Sequence, residues 1–166
     1  MSAGAHHSLA ITADGAFFTG GEGERGCLGH GEDLSEQLLP KKVEAFAGRR
    51  VVALSAGAHH SLALTVGGSV WSWGGGGIGQ LGHGDQQNQL LPKKVEAFAG
   101  QRVVAVSAGA FHSLALTADG AVWSWGWGGN GRLGHGDTQH QLLPKKIEAL
   151  VGQRVVAVSA GVAHTL

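Results

Sequence analysis

The chain has 166 residues, and 12 lysines and arginines stand against 12 aspartates and glutamates. That balance leaves no electrostatic footprint for DNA, RNA or an anionic membrane surface, so no nucleic-acid partner is expected. The single cysteine, Cys27, excludes an intramolecular disulfide and a four-cysteine zinc site, and it favours a reducing, intracellular setting.

No apolar run reaches the roughly 20 residues of a membrane helix, so no membrane insertion is expected. No charged segment followed by an apolar one marks a secretory signal at the start. The chain opens on SAGAHHSLAI from Ser2, which returns as SAGAHHSLAL from Ser55, as SAGAFHSLAL from Ser107 and as SAGVAHTL from Ser159. LGHG begins at Leu28, Leu81 and Leu133, and LLPKK begins at Leu38, Leu90 and Leu142. The period is 52 residues, with one extra residue between Gly31 and Pro40. Residues 57–108 and 109–160 differ at only 12 of 52 positions. The repeats therefore run over about 4–56, 57–108 and 109–160, with a partial fourth at 161–166.

The elements of one unit follow in chain order. A fourth, outer strand is placed near Lys94–Phe98, and a β-branched run, Val103–Ser107, forms the next strand. Ser113–Thr117 alternates, and Asp119-Gly120 is the dipeptide of a two-residue hairpin turn. Ala121–Trp125 is the returning strand. A two-residue turn places Leu116 opposite Trp123 and Leu114 opposite Trp125, and in the second copy Leu64 opposite Trp71 and Leu62 opposite Trp73. Leucine and tryptophan would then share one face, with alanine, serine, threonine and valine on the other. No window carries a helical period. Four short strands in about 50 residues, repeated, predict an all-β fold: about three four-stranded β-propeller blades forming an incomplete ring.

The linked motifs V-V-A-V-S-A-G, H-S-L-A-L-T, D-G, V-W-S-W-G and L-G-H-G resemble the regulator of chromosome condensation repeat over the whole chain. The resemblance implies propeller blades of four strands, each drawing strands from two repeats. It also implies protein partners engaged through loops. Three departures stand out. Gly23, Gly76 and Gly128 occupy a place where many members carry asparagine. Phe18 and Gly20 replace both tryptophans in the first copy. Three copies are too few for a closed ring, so the chain is expected to be a fragment or to complete its ring by association.

Candidate chemistry is sparse. His7, His60, His112 and His164 form one repeat-equivalent series, and His30, His83 and His135 another. His6 and His59 become Phe111 and Ala163 in later copies, which does not suit a metal ligand. The first series is expected to brace turn carbonyls, and no metal or cofactor is expected. Ser8, Ser61 and Ser113 each follow a histidine directly, so strand alternation turns the two side chains to opposite faces and removes a catalytic pair. The glycine runs at Gly74–Gly77 and Gly126–Gly129 lack the lysine and helix of a phosphate loop and read as tight turns and close contacts. The lysine pairs 41–42, 93–94 and 145–146 read as solvated edge strands neutralised by Glu44, Glu96 and Glu148.

Plant ultraviolet-B photoreceptors share the repeat, but this chain has Ala58 and Ala110 where that group carries tryptophan, so photoreception is not expected. Trp127 has no structural reason in the sequence. Together with Ile78, Gln80, Asn130 and Arg132, it marks a loop that varies between copies and is the expected partner-binding surface. The near-identity of the copies points to a non-catalytic interaction or scaffold module. Its partner is another protein, with a second copy of the chain one candidate. Guanine-nucleotide exchange on a small GTPase is the alternative that the resemblance implies, and a repeat segment without its own activity is a third.

Overall fold

The computed structural model describes residues 1–162, 164 and 165, so Ala163 and Leu166 of the partial fourth copy lie outside the described residues. Three antiparallel sheets of four strands follow one another along the chain. Blade one holds β1 (Ser2–Ala3), β2 (His7–Ile11), β3 (Phe17–Gly21) and β4 (Gln37–Lys42). Blade two holds β5 (Val51–Ala56), β6 (His60–Thr65), β7 (Val70–Gly74) and β8 (Gln89–Lys94). Blade three holds β9 (Val103–Ala108), β10 (His112–Thr117), β11 (Val122–Gly126) and β12 (Gln141–Lys146). Each blade pairs its strands in sequence order, and the three sheets do not close into a ring. Each inner strand comes from the end of one repeat and the other three from the next.

The outer strand lies earlier than the sequence suggested. It is QLLPKK, and Glu96–Phe98 forms a 3-10 turn instead. Pro92 sits in this outermost strand, where a missing N–H costs nothing. The 3-10 turn drives Phe98 between blades two and three, 5.7 Å from the rings of both Trp123 and Trp125.

The hairpin register is corrected by one residue. Thr117 N–H donates to Ala121 O, and Gly120 N–H donates to Thr117 O, both at 2.9 Å. Ala118, Asp119 and Gly120 thus form a three-residue loop, with positive φ only at Gly120 (86°). A type I turn closed by a left-handed glycine has that form, whereas the two-residue turn needs two positive φ values. Leu116 therefore faces Val122, Ala115 faces Trp123, Leu114 faces Ser124, and Ser113 faces Trp125. A slip of one residue exchanges faces. Leucines share a face with Val122 and Ser124, and tryptophans share the other with alanine and serine. Blade two repeats this, with Leu64 opposite Val70 and Ala63 opposite Trp71.

The exchange sets how blades stack. Leu62, Leu64, Val70, Val95 and Phe98 of the leucine side of blade two bury Val103, Ala115 and Trp125 of blade three. Leu9, Phe17, Val43 and Phe46 of blade one bury Val51, Ala63 and Trp73 of blade two in the same way. Trp73 and Trp125 are wholly buried.

Candidate functional site

The doubled-histidine motif is part of the interblade bracing. His7 Nε2 lies 2.8 Å from Ser61 Oγ, and His60 Nε2 lies 2.9 Å from Ser113 Oγ. His112 Nε2 reaches Thr165 Oγ1 at 3.1 Å. Each histidine therefore meets a hydroxyl of the next copy. That hydroxyl donates onward to a loop carbonyl: Ser61 to Cys27 O, Ser113 to Gln80 O and Thr165 to Arg132 O, at 2.9, 2.8 and 2.7 Å. A hydroxyl that spends its proton on a carbonyl must accept from the imidazole, so Nε2 carries the hydrogen. The turn carbonyl expected as the direct partner is reached through this hydroxyl.

The other ring nitrogens, Nδ1 of His7, His60 and His112, are buried without a hydrogen-bond partner. A second proton there would place a charge in an apolar interior. Burial, reinforced by neighbouring histidines, lowers His60 to about 3 and His7 to about 4. Burial, then Arg132, lowers His112 to about 4. Neutral imidazoles bonded to spent hydroxyls form a brace, with no nucleophile to activate.

The same motif explains its glycine. A Cβ on Gly57 would lie 2.5 Å from Gly109 O and 2.6 Å from His60 Nδ1, so only glycine admits the ring. Its serine binds across blades too. Ser2, Ser55 and Ser107 Oγ accept the N–H of Ala56, Ala108 and Ala160 at 2.9–3.0 Å. The sequence reading missed this bond, although the invariance of SAG across four copies was its signal. In the second histidine series, Nε2 of His30, His83 and His135 meets Thr19, Ser72 and Ser124 at 2.9 Å, tying each loop to its own blade. Asparagine has no room at Gly76 or Gly128, where a Cβ would fall 1.9 Å from Gln87 O or Gln139 O.

The variable loop residues occupy different environments. Gln80 is buried, its carbonyl accepting both Ser113 Oγ and Trp125 Nε1. Ile78 is half-buried, and its N–H donates to Gln80 Oε1 at 3.0 Å. Arg132 is buried, stacked 3.9 Å from the Trp127 ring centre and bonded to Gly129 O and Val162 O. Trp127 is half-buried and meets Phe111 edge-on at 5.6 Å. Asn130 is exposed in a left-handed conformation, φ 63°. The structure thus unites Phe111, Trp127 and Arg132 in one packed trio. It also gives Trp127 the structural reason that the sequence lacked.

The regulator of chromosome condensation (RCC1) repeat model matches residues 14–64, 67–116 and 119–166, and a second RCC1 repeat model matches 51–80 and 103–132. The chain belongs to the RCC1 repeat family. It is 42% identical over 168 residues to the E3 ubiquitin-protein ligase HERC2 of Homo sapiens, covering all of this chain and 4% of that protein. It is 41% identical over 166 residues to the ultraviolet-B receptor UVR8 of Arabidopsis thaliana, covering 99% of this chain and 38% of the receptor. Prp20p from Saccharomyces cerevisiae, described with its binding to Gsp1p and histones, superposes with a TM-score of 0.88 at 25% identity. That match covers 98% of this chain and 41% of Prp20p. The RCC1 chain thus spans less than half of each of these relatives.

Proposed function

We propose that this RCC1 chain is a non-catalytic protein-interaction or scaffold module. Its outer blade faces are completed by another chain or by a second copy of itself. The observation that carries this reading is the leucine face of blade three. Leu116, Val122 and Ile147 form a cluster there with Leu150, Val155 and Val158 packed against it. A cavity of about 460 Å3 opens over Val122, Ile147, Leu150 and Arg132. The same face of blade two is filled by Trp125, whose N–H bonds a loop carbonyl. At the opposite end Leu38 and Leu39 are 85% and 79% exposed, whereas Leu90 and Leu142 pack against the preceding blade. Both ends therefore present surfaces that the interior shows to be blade-binding. The equivalent loops of blades two and three, with Ile78 and Gln80 on one and Trp127, Asn130 and Arg132 on the other, supply a lateral contact, with Asn130 exposed and Gln80 and Arg132 buried behind it.

Sedimentation across a concentration series tests the reading. Association of the chain with itself, or capture of a partner that is lost on Val158→Arg, is the expected result. A well-folded monomer with sharp cooperative melting and no partner would defeat it.

Guanine-nucleotide exchange is the second reading, favoured by the overlay on Prp20p, a protein described as binding Gsp1p. Accelerated nucleotide release from any member of a small-GTPase panel would establish that activity in place of a purely structural role.

A further inference from the structure

A cavity of about 470 Å3 opens at the hairpin end of blade two, between the linker residues Gly48–Arg50 and the loop Val66–Gly68, over the ring of Trp71. Arg49, Arg50, Lys94 and Ser69 line it. The Arg49 guanidinium lies 5.0 Å from the Trp71 ring centre and donates to Ala45 O at 3.1 Å. An arginine held on one side by an aromatic face and on another by a carbonyl is oriented before any ligand arrives, and its planar fork has further donors to offer.

The other two blades show what makes this place different. Their hairpins carry Asp14 and Asp119 where blade two carries Gly67. Both aspartates are held below the ordinary carboxylate range, first by the hydroxyl of Thr12 or Thr117, then by a backbone N–H, with Lys42 or Lys146 adding to the effect. In blades one and three, then, the lysine equivalent to Lys94 has a hairpin carboxylate nearby. In blade two that carboxylate is missing, and the Thr65 hydroxyl keeps only the bond to Ser69 O that Thr12 and Thr117 also make to Ala16 O and Ala121 O. The linker differs in the same sense, with Arg49 in the place of Gln101 and Gln153. Each exchange adds one positive charge relative to blade three. Glu96 lies 3.8 Å from Lys94 with its side chain 74% exposed, and Asp14 lines the adjoining cavity of blade one with the same Arg49 and Arg50. In a chain of zero net charge, three cations converge here on one cavity.

We propose that this cavity is an anion site that takes a phosphate monoester, with Arg49 and Arg50 closing on its oxygens and Lys94 supplying a point charge. A phosphate monoester carries a charge of about −1.5 to −2 at neutral pH, opposite in sign to the three cations that line the cavity, and a single carboxylate ligand brings less. Trp71 fixes Arg49, and Ser69 stands at the wall as a hydroxyl donor. The site is independent of the blade-binding faces and of nucleotide exchange.

The test titrates the full chain by calorimetry with three probes: inorganic phosphate, a phosphoserine peptide and its unphosphorylated form. The comparison variant is Arg49→Gln with Gly67→Asp. Both residues are borrowed from the third blade, and a Cβ on Gly67 meets nothing within 4 Å, so the fold is retained and circular dichroism confirms it. Saturable binding of phosphate or phosphopeptide, weakened by salt and at least tenfold weaker in the double variant, is the expected result. Tighter binding of the phosphopeptide than of phosphate assigns the ligand to a modified protein partner. Equal binding assigns recognition to the phosphate group alone, with no contribution from the peptide. No saturable binding of either probe, or equal affinity in wild type and double variant, overturns the site.

Discussion

The three braced histidines make stability fall in mild acid. In the folded chain His60 is lowered to about 3, and His7 and His112 to about 4, burial being the first cause in each case. In the unfolded chain each titrates near pH 6.5. Between those values the unfolded state binds more protons, so stability is complete above pH 6.5 and declines as the pH falls toward 4. The slope is about 1.4 kcal/mol per pH unit for each fully shifted histidine. From pH 6.5 to 5, His60 alone removes about 2 kcal/mol. His7 and His112 lie at the outer copies, where solvent screens part of the effect, and together they add about as much again. A loss of about 4 kcal/mol is a large part of the 5–15 kcal/mol that stabilises an ordinary domain. Urea midpoints measured from pH 7.5 to 5 at fixed ionic strength read this directly. His60→Gln lowers the midpoint at pH 7.5 but flattens its pH dependence by about one proton. Unchanged stability across that range, or an unaltered slope in H60Q, would refute the neutral-imidazole brace.

Four further outcomes follow from packing and bonding. Trp125→Gly, which imposes on blade three the residue that blade one carries at Gly20, costs about 3–5 kcal/mol in chemical denaturation, whereas Trp123→Phe costs less than about 1.5 kcal/mol. Ser113→Ala, which strips His60 of its acceptor and Gln80 O of a donor, costs about 1–3 kcal/mol, and a double-mutant cycle with His60→Ala shows coupling between the two. Gly57→Ala costs more than about 3 kcal/mol or yields insoluble protein, because its Cβ meets a backbone carbonyl at 2.5 Å. Gly100→Ala, at φ 79° with nothing within 4 Å, costs only about 1–2 kcal/mol, so equal losses at the two glycines would sink the steric account.

The sequence carried the architecture because a period of 52 residues and a strand pattern repeated in each copy leave few alternatives. The faces were not legible, for a local reason. Asp-Gly suits both the two-residue turn and the three-residue loop, and the choice rests on whether Asp119 takes positive φ. It does not: its carboxylate accepts the Thr117 hydroxyl and the Ala121 N–H in the three-residue form, and Gly67 keeps that same form in blade two without a carboxylate. That one angle exchanges every leucine with every tryptophan. The histidine brace was half legible. Adjacency within a strand correctly separated His60 from Ser61, but the hydroxyl it meets lies 53 residues away, one period on. No inspection of a single copy would find it.

The differences between near-identical copies sort by what surrounds them. Phe111, Trp127 and Arg132 replace His59, Gly75 and Gln80 together, and each new side chain packs on another, so their joint change keeps a loop filled. Val95 to Ile147 and Phe98 to Leu150 are exchanges between apolar side chains at the blade interfaces. Gly67 and Arg49 belong to neither group. Gly67 has open space around it and φ in the ordinary range, so an aspartate would fit and would bond Thr65 as Asp119 bonds Thr117. The exchange forgoes a hydrogen bond that the other two hairpins make, and it leaves Lys94 without its carboxylate. Arg49 then adds a cation where glutamine serves elsewhere. Arg49 packs on Trp71, but that contact does not require the loss of the hairpin aspartate, and like charges gathered with only partial compensation from Glu96 work against the folded state. A ligand of opposite charge removes that cost.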